Sequence, residues 1–250
     1  MSYPSYILSI ALFMAIAYSL TKKSFQKKAI QEKSMHIQHK PITPENTIIT
    51  FDLHDVIVNY DYSEILRTFL QNKNKLKLII AMLNPFVWWD IAKLTWQDSV
   101  AEQYIVGLGE KYTSLKPFIP LGTQIANCQR PNPRMVKLLE ELKQRGYTLH
   151  LFSNIGAQIF EDFKKKFPEL IELFDMISIP SKQNGYSKKP HDSAFTNYLK
   201  KLKNDGRQII FVDDKVRNLE KAHSHDITGI LFTNTYKLRA KLEDLGLASE

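Results

Sequence analysis

The stretch that decides the fold is "TIITFDLHDVIVNY", residues 47–60. Thr47 to Phe51 is a run of β-branched and apolar residues of strand type, and Asp52 ends it abruptly. His54 and Asp55 follow at once, so two carboxylates and an imidazole stand at the end of a strand that reads as buried. Such a strand either opens a site or simply runs into a polar turn, and the rest of the chain decides between the two.

Downstream, strands and helices alternate. "RMVKLLEELKQRG" carries Met135, Val136, Leu138, Leu139 and Leu142 on one helical face, with Gly146 as a stop. "YTLHLFSN", "DMISIP", "QIIFVDD" and "TGILFT" read as strands. "AQIFEDFKKKF", "HDSAFTNYLKKL", "VRNLEKAHSH" and "YKLRAKLEDLG" read as the intervening and final helices. This order predicts an α/β fold: a three-layer, Rossmann-like core around a mainly parallel sheet. Residues 61–116 read as helical and aromatic-rich and interrupt the alternation just after the first strand, which predicts a helical cap. "LKPFIPLGTQIANCQRPNPR", with four prolines, reads as an irregular return connection. The expected organisation is therefore 1–21 membrane anchor helix, 22–46 basic linker, 47–60 with 117–250 as core, and 61–116 as cap.

Three strands end in polar groups: Asp52-Leu-His54-Asp55, Ser153-Asn154 and Asp213-Asp214. In a parallel sheet these ends share one edge, where ligands bind in open α/β folds. Between the second and third lies "GYSKKPHDSAF", which adds Lys188 and Lys189 before a helix start. Carboxylates suit Mg²⁺, which takes one or two of them and completes its shell with water and phosphate oxygens. A hydroxyl, backbone N–H groups and a lysine suit the phosphoryl group itself. The alternative readings are helix caps for Ser153-Asn154 and Asp213-Asp214, a solvated lysine at 189 and a turn carboxylate at 52.

These four elements, in this order, resemble the haloacid dehalogenase superfamily, whose members are mostly Mg²⁺-dependent phosphatases. The likeness covers roughly residues 47–235: "FDLHDVIV" is similar to the first motif, "LFSN" to the second, "KKP" to the third and "FVDD" to the fourth. The resemblance implies Asp52 as nucleophile and metal ligand, forming an aspartyl-phosphate. It implies Asp214 as the main further metal ligand with Asp213 assisting, and the backbone carbonyl of His54 facing the metal. Ser153 and the amide of Asn154 would hold the phosphoryl group, and Lys189 would neutralise it, with Lys188 as the alternative one residue away. A small phosphorylated substrate is the implied partner.

The first motif departs from the family's pattern. The second aspartate, which protonates the leaving oxygen and then activates water, is replaced by His54, and the usual glycine by Asp55. An imidazole, with an ordinary pKa of about 6.5, can perform both proton transfers near neutral pH. The competing expectation is a catalytically weak or inactive binding module on the same fold. Dehalogenation is disfavoured because Asp213-Asp214 read as metal ligands.

Composition and charge bound the rest. At 250 residues with 44% hydrophobic and 24% charged residues, the chain can bury a full core. Its one cysteine, Cys128, excludes an internal disulfide and reads as a small buried residue. Of the net +8, residues 1–40 hold +5, from six lysines against Glu32, so the body is nearly balanced and nucleic acid is not an expected partner. Residues 3–20, "YPSYILSIALFMAIAYSL", carry no charge and span roughly 27 Å as a helix. The lysines follow this run, so the positive-inside rule predicts a single-pass membrane protein with the large domain cytoplasmic. The basic arm, Lys22 to Lys40, would then meet anionic lipid. A cleaved signal peptide ending near "AIA" and a soluble helix are the competing readings. Trp88, Trp89 and Trp96 of the cap stretch read as a packed cap core, a pocket lining or an interfacial belt. His223 and His225 read as solvated helix residues.

Overall fold

β1 (Thr47–Phe51) is buried at every position and lies at the centre of a five-stranded parallel sheet. The computed structural model describes residues 40–93, 101–202 and 206–248. The expected anchor, residues 3–20, lies outside the described residues. Among those described, no helix is long and apolar enough to cross a membrane.

The sheet order is β5-β4-β1-β6-β7, with β4 (Thr148–Phe152), β5 (Met176–Ser178), β6 (Gln208–Asp213) and β7 (Thr228–Leu231) all parallel. Strands covered on both faces read as near-continuous apolar runs, which is why "TIITF" and "IIFV" lack polar alternation. Along β1, Ile49 and Phe51 join the larger core, with α6 (Pro133–Gln144), α7 (Ala157–Lys166) and α11 (Thr235–Asp244). Ile48 joins the second core, with α9 (Asp192–Lys201) and α10 (Val216–His223). The period of two thus assigns each β1 side chain to one of two helical layers. The remaining short core helix is α8 (Pro168–Glu172).

The chain moves from β1 outward through β4 to β5, then returns to the other side of β1 for β6 and β7. The reversal falls between β1 and β6, and crevices for ligands form outside the carboxyl ends of strands at such a point.

A helical insert separates β1 from the rest of the sheet. It is bracketed by a short antiparallel ribbon of β2 (Val58–Tyr60) and β3 (Gln129–Pro131), which sequence periodicity does not reveal. Within it run α1 (Tyr62–Gln71), α2 (Lys75–Met82), α3 (Pro85–Lys93), α4 (Ala101–Lys111) and α5 (Ile119–Ala126). Asp61 caps α1 by accepting from the Ser63 and Glu64 N–H groups. The expectation of an irregular return connection fails for its first half. Pro117 lies in a 3₁₀ turn, Thr113–Phe118, and Pro120 in the first turn of α5, where its missing N–H costs no helical bond.

α6 begins as the sequence suggests, with Asn132 accepting from the Arg134 N–H and Pro133 in the first turn. It stops at Gly146, whose φ of +83° suits a residue without a side chain. Arg239 on α11 grips Glu141 on α6 with both guanidinium nitrogens, one at 2.9 Å, and Arg145 adds a contact at 3.0 Å. The Arg239 hydrogen bonds hold the Glu141 carboxyl below its ordinary range. A depressed carboxylate stabilises the fold above its unfolded pKa, about 4.3, and loses that contribution as pH falls through the native value. Glu141→Gln should therefore lower the urea midpoint at neutral pH, and the gap to the parent should close towards about pH 3. A gap that stays constant with pH would mean the charge contributes nothing.

Candidate active site

Asp52 follows β1 directly, its N–H donating to the Val212 carbonyl of β6, so the ladder itself fixes where the carboxylate emerges. Its Oδ1 accepts from the Leu53 N–H at 2.8 Å and meets the Lys189 ammonium at 3.1 Å. Oδ2 takes part in none of these contacts. Lys189 also donates to Asp213 Oδ2 at 2.7 Å. This lysine is 1% exposed, and its ammonium stands 4.8 Å and 5.2 Å from the ring centroids of Phe211 and Phe152. A solvated surface lysine is thereby excluded. The aliphatic stem suits that aromatic surround while the charge reaches two acids.

Asn154 has a structural task of its own. Its side-chain amide donates to the Lys189 carbonyl and accepts from the Lys189 N–H, both at 2.8 Å. The loop after β4 thus holds the backbone of the loop that carries the lysine; the Lys189–Pro190 peptide within it is cis. Ser153 is buried, its N–H bonded to the Ser178 carbonyl and its Oγ accepting from the Ile155 N–H at 3.3 Å. The hydroxyl proton is committed to none of these bonds.

The two aspartates after β6 differ sharply. Asp213 is saturated: Oδ1 accepts from the Lys215 N–H and Asn218, and Oδ2 from Asn218 and Lys189. Asp214 is open. Its Oδ1 is buried without a hydrogen-bond partner, and the Lys215 ammonium stays 3.8 Å away. Burial pushes the Asp214 carboxyl up to about 7, with Lys215 opposing and Asp213, Asp52 and Asp55 reinforcing the shift. Burial likewise raises Asp213. It works against Asp52 too, but there the positive charges of Lys189 and Lys215 win and the carboxyl is held low. Asp52, Asp213 and Asp214 offer carboxylate oxygens within 4.8 Å of one another. An orphaned buried oxygen among three such acids fits a hard divalent cation, which prefers oxygen ligands.

His54 and Asp55 sit in the tight turn after the strand. The Ile57 and Val58 N–H groups donate to the Leu53 carbonyl, and the Asp55 N–H to Val58. Asp55 has φ +61°, the left-handed region where glycine is most at ease and aspartate is tolerated. The His54 ring stacks on Tyr60, centroids 6.0 Å apart. Burial holds its imidazole below the ordinary value, although Asp52 and Asp55 pull the other way.

Lys215 and Asn218 escaped the sequence reading. Lys215 follows the two aspartates directly; the acids around it outweigh burial and raise its pKa. Asn218 lies in the first turn of α10, five residues after Asp213, a spacing that returns a side chain to the strand end. His225 is not a solvated residue: it stacks on Phe195 at 5.5 Å and meets Asp192 at 3.1 Å. Cys128 is buried, and burial raises its thiol pKa, as suits an unreactive small residue.

Removing Lys189 would leave Asp52 and Asp213 facing each other without their shared cation. Lys189→Met, close in volume, should cost about 3–5 kcal/mol in denaturant unfolding, the usual loss when one partner of a buried ionic set is removed. A loss under about 1 kcal/mol would mean the acids are already neutral.

The family model for haloacid dehalogenase-like hydrolase matches residues 47–226, well over half of the chain. A curated relative, the sesquiterpene phosphatase astK of Aspergillus oryzae, is 30% identical over 122 residues, which are 49% of this chain and 61% of the relative. The match thus spans less than two thirds of that protein. Among solved structures, the L-2-haloacid dehalogenase of Xanthobacter autotrophicus has a TM-score of 0.52 at 13% identity, covering 83% of this chain and 85% of its own. The HAD-hydrolase YfnB of Bacillus subtilis, solved with magnesium, gives 0.50 at 14%, covering 79% and 98%. At such identities the structural likeness is one of fold. With the family model spanning every element that carries an acid, the amide or the lysine of the cluster, the chain belongs to the haloacid dehalogenase-like hydrolase family.

Proposed function

We propose that this hydrolase is a Mg²⁺-dependent phosphomonoester phosphatase acting through an aspartyl-phosphate on Asp52, and that residues 3–20 anchor it in a membrane with the domain on the cytoplasmic side. The observation that carries the chemistry is the split between Asp52 oxygens: Oδ1 is held by Lys189 and the Leu53 N–H, which leaves Oδ2 to attack. The phosphatase named among the relatives supports phosphate as the group transferred, and its name puts a sesquiterpene phosphate among the substrates to screen.

Asp52 Oδ2 attacks phosphorus, and the bond from phosphorus to the leaving oxygen breaks. His54 hands that oxygen a proton as imidazolium. It then accepts one from the water that attacks phosphorus and releases Asp52. The Ser153 hydroxyl and the Asn154 backbone N–H hold the phosphoryl oxygens, and Lys189 offsets their charge while fixing the Asp52 rotamer. Asp52, Asp214 and the residue 54 carbonyl would hold Mg²⁺, with Asp213 supporting from behind; when bound, the ion neutralises phosphoryl charge.

Asp52→Asn keeps the shape and removes the nucleophile, so it should abolish Mg²⁺-dependent release of phosphate across a phosphomonoester panel. Parent turnover no greater than that of Asp52→Asn on every compound would leave the non-catalytic binding module as the better reading. His54→Ala should lower kcat by roughly 10²–10⁴, the worth of a positioned proton-transfer group, and His54→Asp should retain activity. An unchanged kcat in His54→Ala would assign the proton to another group. The anchor is checked by fractionation. The full chain should sediment with membranes, and a chain beginning near Pro41 should not.

A further inference from the structure

The insert carries a surface that the chemistry above does not use. Leu76, Ile80 and Leu83 recur at steps of four and three residues and stand exposed along one stripe of α2 and its end. Phe86 on α3, the next helix, is 70% exposed, and Trp89 one turn on is 57% exposed. The same face continues into a groove of about 330 Å³ bordered by Ile80, Ala81, Pro117 and Phe118. Singly exposed apolar residues are ordinary, but five within fourteen positions form a patch.

Along the segment that carries the patch, the charge has one sign. Between Glu64 and Asp90 the sequence contains Arg67, Lys73, Lys75 and Lys77 and no acid. The lysines are exposed. The two bounding acids are engaged elsewhere: Asp90 is buried and meets Lys111 and Tyr112, and Glu64 meets Arg67 and Lys166. Large apolar and aromatic side chains beside a cluster of uncompensated lysines are the composition of surfaces that seat in the headgroup region of anionic bilayers. A partner protein is the less favoured occupant, because lysine is depleted at protein–protein interfaces.

We propose that the α2–α3 face of the insert docks on an anionic membrane surface, with Leu76, Ile80, Leu83 and Phe86 entering the interface and Lys73, Lys75 and Lys77 meeting lipid headgroups. The contact is separate from the proposed anchor, and chain length permits both at one membrane. The Lys40 carbonyl is held by Gln208, at the start of β6, so the described chain begins at the sheet edge opposite the insert. The twenty residues 21–40 reach at most about 70 Å, against roughly 45 Å for the diameter of a domain this long. Docking would bring the insert, next to the candidate active site, to the bilayer surface, where amphiphilic phosphate esters reside.

The test uses the full chain with Phe86→Cys carrying an environment-sensitive fluorophore, Cys128 being buried and the parent serving as labelling control. Vesicles are phosphatidylcholine alone or with phosphatidylserine, with and without acyl-chain quenchers. The expected result is a blue shift and quenching on phosphatidylserine vesicles only. Lys73→Gln, Lys75→Gln and Lys77→Gln together should weaken insertion on the order of a hundredfold, at about fivefold per lysine. Three results overturn the docking. A chain that sediments with vesicles while the label stays in water keeps the anchor but loses the docking. A chain that does not sediment loses both. A label already blue-shifted without lipid means that a second copy, or residues 3–20, covers the face.

Discussion

The structure depends on one buried cation. Lys189 is sealed from water between Asp52 at the end of β1 and Asp213 at the end of β6. Each acid stands at the buried end of its strand, and neither could sit there charged without it. The lysine is not on the sheet at all; it comes from the loop before α9 and is placed by the Asn154 amide from the loop after β4. Four segments that are distant in sequence therefore meet at one lysine. Their arrangement follows from the sheet order, because the reversal between β1 and β6 leaves a crevice where no connection crosses.

Around that ammonium the charges do not balance. Three carboxylates, Asp52, Asp213 and Asp214, face two ammonium groups, Lys189 and Lys215. Asp214 is the least satisfied of them: its Oδ1 has no hydrogen-bond partner, and burial, reinforced by the neighbouring acids, pushes its carboxyl up to about 7. Asp213, next in sequence and more deeply buried, has four hydrogen bonds. Two adjacent aspartates thus divide the work. One is fully hydrogen-bonded and steadies the lysine, and the other keeps a buried oxygen unsatisfied, as a side chain able to take a cation would.

Much of this was legible in the sequence, for identifiable reasons. Buried parallel strands must be apolar throughout and can change character only at their ends, so "TIITFD" and "IIFVDD" disclose both strand and site. Helix limits were equally plain at Asn132-Pro133 and Gly146, where cap chemistry is local. What escaped depends on distance. The β2–β3 ribbon joins segments some seventy residues apart through three residues each, too short for any period to register. Lys215 and Asn218 look like ordinary polar residues at a helix start until the strand ends are assembled around them. The proline-rich stretch misled because proline forbids helix interiors but not first turns, and Pro120 falls in a first turn.

The same distinction between backbone and side chain bears on the altered first motif. The turn from Leu53 to Val58 is closed by main-chain bonds: the Ile57 and Val58 N–H groups to Leu53, and the Asp55 N–H to Val58. None of these needs the residues at 54 and 55 to be aspartate and glycine. The requirement at 55 is a positive φ, and aspartate meets it at modest strain. The exchange to His54-Asp55 therefore leaves the path of the chain intact, and with it the position of Asp52 and of the residue 54 carbonyl. What changes is the side chain at this position: a half-buried imidazole, stacked on Tyr60 and held by burial below its ordinary pKa, stands where the family's pattern has a carboxyl group. A carboxyl there would add a fourth acid to a cluster already short of positive charge, whereas the imidazole adds none. The histidine thus eases the electrostatic deficit that Asp55 aggravates, and the two departures from the family pattern are best understood as a pair.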